Sequence, residues 1–399
     1  MPETEQHVET TPGFDMKKSI SGESFIFFGL FLALFCFIGS KMGTINMLNT
    51  MMETAYQLLL DTVFKIMAIA VLAGAISGLF TEFGIVAVAN KIISPLMKPM
   101  YGLPGASVIG VIATYLSDNP AILTLADDQG FRRYFKKYQL PALTNIGTAF
   151  GMGLIITTFM MGIPSPTGES FVKAAFIGNL GAIIGSVVSV RIMLFFTKRV
   201  YGVEEPCEVE GIQQLLRTDV RMVRTGGAGT RFMSSMLEGG KAGVSMGFAI
   251  IPGVLIICTL VMMLTNGPDA ATGAYTGAAY EGIGLLPALG EKLEFILQPL
   301  FGFTSPQAVA VPITSLGAAG AAIGLVPKMV AGGLITGNDI AVFTSMCMCW
   351  SGYLSTHVAM MDSLKCSNLT GKAILSHTIG GLCAGTAAHW LYVLFSMIG

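Results

Sequence analysis

Charge is what this sequence lacks most. Only 12% of its 399 residues are Asp, Glu, Lys or Arg, while 53% are hydrophobic and the mean hydropathy is +0.69. An ordinary globular domain carries roughly 25% charged residues. A soluble fold this poor in charge would leave too much apolar surface in water. The net charge of −1 provides no basic stripe, which excludes nucleic acid as a partner. Cysteine is present without a framework. No C-x-x-C occurs, and Cys36, Cys258, Cys347, Cys349 and Cys383 lie inside apolar runs, where a thiol serves as a small apolar filler. The four histidines (His7, His357, His377 and His389) include no i, i+4 pairing with another ligand type, so no metal centre is expected. A phosphate-binding G-x-x-x-x-G-K-[ST] is missing, which argues against ATP hydrolysis. Gly243-Val244-Ser245-Met246-Gly247 matches G-x-S-x-G, but it opens an apolar run instead of a strand-to-helix turn. The chain is therefore expected not to be an enzyme.

What is abundant points to a membrane. Apolar stretches of span length recur at Phe25–Ser40, Thr62–Phe80, Ala106–Leu125, Ala142–Ile163 and Ala174–Phe196, then at Ser245–Leu264, Gln307–Leu325, Ile340–Val358 and Ala373–Phe395. The 49 glycines and 25 methionines suit a helical bundle whose backbones approach closely. An all-α integral membrane protein with about nine hydrophobic segments follows. No small-residue cleavage pattern follows the first run, so it reads as a retained helix.

The two sets of spans resemble each other at a shift of about 200 residues (99 against 299). Pro99-Met100-Tyr101-Gly102 is answered by Pro299-Leu300-Phe301-Gly302, and Lys173-Ala174 with Gly181 by Lys372-Ala373 with Gly380. Glu82 and Glu281 open matching segments, and Glu53 and Glu238 precede the first long span of each half. Five regions result: a polar tail at 1–24, an extra N-terminal helix and connector at 25–50, repeat 1 at 51–200, a charged linker at 201–231 and repeat 2 at 232–399.

Orientation comes from the basic residues. Arg132, Arg133, Lys136 and Lys137, the linker's arginines, and Lys17 with Lys18 should all face the cytoplasm by the positive-inside rule. Phe131, Tyr134, Phe135 and Tyr138 interleave with the first cluster, predicting a short helix at the interface. If Gly84–Leu125 is a re-entrant hairpin, the count of crossings makes the halves inverted; if every run spans, they are parallel. The inverted plan is the favoured expectation, as in many transporters. The implied location is the inner (cytoplasmic) membrane, as a multi-pass protein.

Chemistry concentrates at Ser117-Asp118-Asn119-Pro120, inside an apolar stretch. Pro120 breaks the helix, and a break at membrane depth is tolerated only where protein or a water-filled cavity satisfies the freed backbone. Asp118 adds a costly charge, the usual mark of a substrate or coupling-ion site. The matching region, Thr314-Ser315-Leu316-Gly317-Ala318-Ala319-Gly320, has breakers and hydroxyls but no charge. Asn145 and Thr148 share one helix face, while Asn179, His377 and the Ser355-Thr356-His357 cluster suit helix-to-helix hydrogen bonds. Gly181–Gly185 serves packing either within the chain or between copies in a homo-oligomer.

The run Ile93-Ser94-Pro95-Leu96-Met97-Lys98-Pro99-Met100-Tyr101-Gly102-Leu103-Pro104, followed by the broken Ser-Asp-Asn-Pro segment, resembles the nucleoside-recognition (Gate) domain. So does Leu237-Glu238-Gly239-Gly240-Lys241-Ala242-Gly243, and Gln298-Pro299-Leu300-Phe301-Gly302 with Ser305-Pro306 looks like the same module again. Gate domains occur in concentrative nucleoside transporters, bacterial ferrous-iron transporters and the spore maturation proteins A and B. The resemblance implies paired repeats whose re-entrant hairpins face each other across a central site. It departs from the iron transporters, having no GTP-binding domain, and from the nucleoside transporters, having only Thr314 and Ser315 in the second hairpin. The expected function is a secondary transporter of a small polar solute. Na⁺ or H⁺ would be the only cofactor. Asp118 would be the coupling or binding acid, with Ser117, Asn119, Thr314, Ser315 and Asn145 as further solute ligands. The alternative is a Gate-like membrane scaffold or assembly factor.

Overall fold

In the computed structural model, residues 18–118, 121, 132, 134–207, 223–269 and 271–398 are described. Among them the chain is helical, and the only bridge outside named elements joins Lys136 to Pro206. Helix α1 (Gly22–Met42) ends at Gly43, whose φ of 81° turns the chain into a second long helix. That helix runs from α2 (Thr44–Gln57) through a π-helical turn at Leu58–Val63 into α3 (Phe64–Glu82). Its counterpart runs from α9 (Ala228–Pro252) through a π turn at Gly253–Cys258 into α10 (Thr259–Thr265).

Between them lie α4 (Ile85–Tyr101), α5 (Ser107–Leu116), α6 (Ala142–Thr148), α7 (Gly153–Met161) and α8 (Val172–Tyr201). The second half repeats the order with α11 (Leu285–Lys292), α12 (Glu294–Phe301), α13 (Ala310–Gly317), α14 (Ala319–Ala331), α15 (Gly337–Cys349), α16 (Tyr353–Ser363) and α17 (Thr370–Ile398). The matched Pro-Gly runs end matched helices. Both α4 and α12 carry their proline inside and stop at a left-handed glycine, Gly102 (φ 73°) and Gly302 (φ 59°).

Among the described residues, six helical stretches are long and apolar enough to cross a membrane: Gly22–Met42, Thr44–Glu82, Lys137–Met161, Val172–Tyr201, Ala228–Thr265 and Ser367–Ile398. Phe27, Leu72, Phe176, Ile256 and Met397 stand exposed on them, which only a lipid surround accommodates at so little cost.

The two halves meet through counterpart helices running antiparallel. On α3 and α9, Met67 meets Gly247, Gly74 meets Gly239, and Gly78 meets Ser235. On α8 and α17, Gly181 meets Ala388 and Gly185 meets Gly380. Antiparallel packing of equivalent helices is the geometry of an inverted repeat. Small residues permit it, since a Cβ on Gly78 would fall 2.3 Å from the Ser235 carbonyl. Gly181 and Gly185 are thus spent on packing within the chain, and Gly243 and Gly247 of the G-x-S-x-G match are buried in helix packing against α3.

The interfacial helix expected over the basic cluster falls partly on Phe131 and Arg133, which lie outside the described residues; Arg132 is helical, and after it come a short 3₁₀ turn at Lys137–Gln139 and the Lys136–Pro206 bridge. Lys136 reaches Glu204 (3.0 Å) and Lys137 reaches Glu205 (2.7 Å), and these two salt bridges hold the stretch ahead of α6 against the start of the linker. On the same face, Glu82, 3% exposed, binds Arg224 (2.6 Å) and Arg231 (2.7 Å). Glu281, 4% exposed, follows the far end of α10 on the opposite face. It accepts hydrogen bonds from Thr276 N (2.9 Å), Thr276 Oγ1 (2.6 Å) and Gly277 N (3.0 Å).

Candidate functional site

Four helix interruptions converge at the centre of the molecule. The first follows α5, where Ser117 leaves helical geometry (φ −132°, ψ −104°), its hydroxyl donating back to Ala113 O at 2.8 Å, with Asp118 next. The second separates α6 from α7 at Met152, which takes a left-handed conformation (φ 54°). The third separates α13 from α14 at Ala318, which is extended (φ −159°, ψ 113°). The fourth separates α15 from α16 at Gly352 (φ 65°). Residues 118 and 318, and residues 152 and 352, are equivalent under the repeat.

These breaks enclose a cavity of about 210 Å³ lined by Asp118, Met152, Gly317, Ala318, Ser351 and Gly352. Ala249, Ile250 and Gly253 of the second long helix close one side, with Gly253 opening its π turn. The third and fourth breaks are tied together, since Gly352 N donates to Ser315 O at 3.1 Å. The first turns of α14 and α16 border the cavity through Ala319, Gly320, Ala321 and Thr356. Helix N-termini offer unsatisfied N–H groups and a positive dipole end, which favour a carboxylate and polar oxygens in the same space. The cavity thus offers one acid, backbone donors and acceptors, and the hydroxyls of Ser351 and Thr356. This donor set suits a small neutral solute rich in hydroxyl and amide groups.

The predicted site residues distribute unevenly. Asp118 lines the cavity; Ser117, which caps α5 just before it, is not among the lining residues, and Asn119 lies outside the described residues. Thr314 and Ser315 are buried with their hydroxyls on helix carbonyls, Thr314 to Ala310 O and Ser315 to Pro312 O, both at 2.7 Å. The second hairpin lines the cavity instead with backbone from Gly317 to Ala321. Asn145 belongs to a neighbouring buried cluster, donating to Ser189 Oγ (2.9 Å) and Ala373 O (3.2 Å). His377 joins that cluster, while Asn179 makes its helix-to-helix bonds elsewhere, to Tyr115 (3.0 Å) and Thr157 (2.8 Å). The sequence reading missed Met152, Ser351 and Gly352. Their one signal is the repeat, which sets Met152 opposite a glycine.

No family model matches this sequence, and no curated protein matches it. Solved structures do. The chain is similar to CNTnw in an inward-facing substrate-bound state, with a TM-score of 0.50 at 13% identity over 92% of this chain and 85% of that one. It is also similar to a CNTnw variant in an outward-facing state, with a TM-score of 0.51 at 14% identity over 92% of this chain and 84% of that one. CNTnw is a concentrative nucleoside transporter, and the chain shares its fold.

Proposed function

We propose that this chain is a secondary membrane transporter for a small polar solute of nucleoside-like character, coupled to Na⁺ or H⁺. The observation that carries the reading is the cavity where four broken helices meet, with an acid on one wall. Broken helices at the interface of inverted repeats are where alternating-access transporters bind solute. The likeness to CNTnw in inward- and outward-facing states supports a fold able to adopt both. In this reading Asp118 is the binding or coupling acid, with Ser117 and Asn119 as further solute ligands. Thr314 and Ser315 act by stiffening the second hairpin, with Ser315 O holding Gly352. Asn145 supports the site from the adjacent cluster. In the same reading the basic face, with Lys136, Lys137 and Arg224, faces the cytoplasm and the chain sits in the inner membrane. The proposal extends to kinship with the Gate-domain group, on the sequence resemblance alone.

The test is thermal stability of the purified protein against nucleosides, nucleobases, amino acids and organic acids, with and without Na⁺ and across pH. A ligand at a hundred times its Kd stabilises by about 2.7 kcal/mol. A saturable shift that disappears in Asp118→Asn is the expected result. A shift retained in that variant removes Asp118 from the site. Absence of any shift favours a scaffold.

A further inference from the structure

Beside the cavity, two histidines are packed ring to ring in the protein interior. His357 on α16 and His377 on α17 are both 0% exposed, with ring centroids 4.7 Å apart. Their hydrogen bonds differ in kind. His377 Nε2 faces the Cys349 carbonyl at 2.5 Å, and a carbonyl only accepts, so this nitrogen carries the proton. His377 Nδ1 is then the acceptor for Ser189 Oγ at 2.9 Å, and Ser189 in turn accepts from Asn145 Nδ2 at 2.9 Å. His377 is therefore complete as a neutral ring, locked in one tautomer.

His357 is not complete. Its Nδ1 lies 3.5 Å from Thr148 Oγ1, whose own hydrogen is committed to Thr144 O at 2.9 Å, so Nδ1 is the donor there. That leaves Nε2 as a bare acceptor, buried and without a partner among the described residues. Asn145 Oδ1, in the same cluster, is likewise buried and without one. The amide cannot be turned to cure this, because its other end must donate to the Ala373 carbonyl (3.2 Å). Leaving acceptors buried and unpaired costs stability, and such groups call for an explanation.

We propose that His357 Nε2 is the seat of the coupling proton, which names the ion for the transporter reading above and rests on it. A proton from solution adds to the Nε2 lone pair, forming one N–H bond and breaking none in the protein, and is released again at the opposite side. The groups facing His357 are uncharged or neutral: Thr148 on α6, the ring and carbonyl of Tyr353 on its own helix, and His377 on α17. The charged residues of the elements around it are Asp362 and Lys372, both exposed, Asp339 near the start of α15, and Lys173, Arg191, Lys198 and Arg199 on α8. In the observed arrangement an imidazolium at 357 has no counter-charge in its shell. The residue before it, Thr356, borders the cavity that holds Asp118. Protonation therefore favours an arrangement in which the ring gains a counter-charge or water over the one observed.

The test uses the full chain in nanodiscs with ¹⁵N-labelled histidine, needs no solute, and follows the four imidazoles as pH is lowered. Signals are assigned from His7→Gln, His357→Gln and His389→Gln. The expected result is that His357 Nε2 moves from the bare-nitrogen to the protonated position, while His377 keeps its Nε2–H signal through the same range. Titration confined to His7 and His389, or a His357 Nε2 signal that is hydrogen-bonded but independent of pH as a bound water would make it, overturns the proposal. Should His357→Gln not fold, His377→Gln supplies the missing assignment and leaves His357 identified by elimination. A failed titration leaves the cavity reading intact, and a failed solute screen leaves the titration intact.

Discussion

Met152 and Gly352, equivalent under the internal repeat, share one left-handed backbone conformation (φ 54° and 65°) and line the same cavity. A non-glycine residue rarely takes that conformation, so the first half holds a strained residue where the second has a free one. The two helix breaks are thus the same device, built once with a side chain filling the cavity wall and once without.

Gly352→Ala tests that device. An L-residue in this conformation costs roughly 1–2 kcal/mol, and the new Cβ would stand 3.1 Å from Gly317 O. The expected outcome is a lowered thermal midpoint together with weaker ligand stabilisation, read in the same melting assay.

Gly78→Val should disrupt the α3–α9 crossing, because its first side-chain atom would fall 2.3 Å from Ser235 O. Overpacking typically costs about 1–3 kcal/mol, and here backbone rather than a flexible side chain must yield. Gly29→Val on α1, where nothing lies within 4 Å, is the control and should melt as the parent does.

Glu82→Gln should destabilise the protein more than Glu238→Gln, although both residues bind Arg224. Glu82 is 3% exposed and holds two arginines, whereas the Glu238 side chain is 68% exposed. Removing one partner of a buried pair strands the other charge, while an exposed pair contributes little. Denaturant midpoints of the two variants give the order, and an equal loss would contradict it.

Acid should loosen the loop that carries Glu281. Burial alone raises this carboxyl, but donations from Thr276 and from the Gly277 and Ala278 amides outweigh it and hold the group below its ordinary value. A depressed folded value means the stabilisation is fully present above the unfolded value and is lost as pH falls through the folded one. Hydrogen exchange at Thr276 and Gly277 should accelerate across that acidic window after correction for intrinsic rates, and Glu281→Gln should abolish the acceleration.

The sequence carried the architecture further than the site. Pro99-to-Gly102 and Pro299-to-Gly302 are legible as repeat markers because proline and a terminal glycine have few other uses, and both runs end helices. Asp118 is legible because a charge in an apolar run demands a reason. Gly352 is not, because glycines are so frequent here that one more marks nothing. Met152 is not, because methionine has no preference for the conformation it takes. Thr314 and Ser315 read as solute-facing hydroxyls, yet such groups also bond the carbonyl one turn back, and composition does not reveal which way they turn.

Glu82 and Glu281 fasten opposite faces of the molecule with unlike fittings, one with guanidinium groups and the other with amides and hydroxyls. Ionic strength weakens the first through screening at its half-exposed arginines and leaves the second nearly untouched. The two halves, alike in sequence pattern, are therefore fastened differently at their two ends, and a change in salt concentration acts on one end and not on the other.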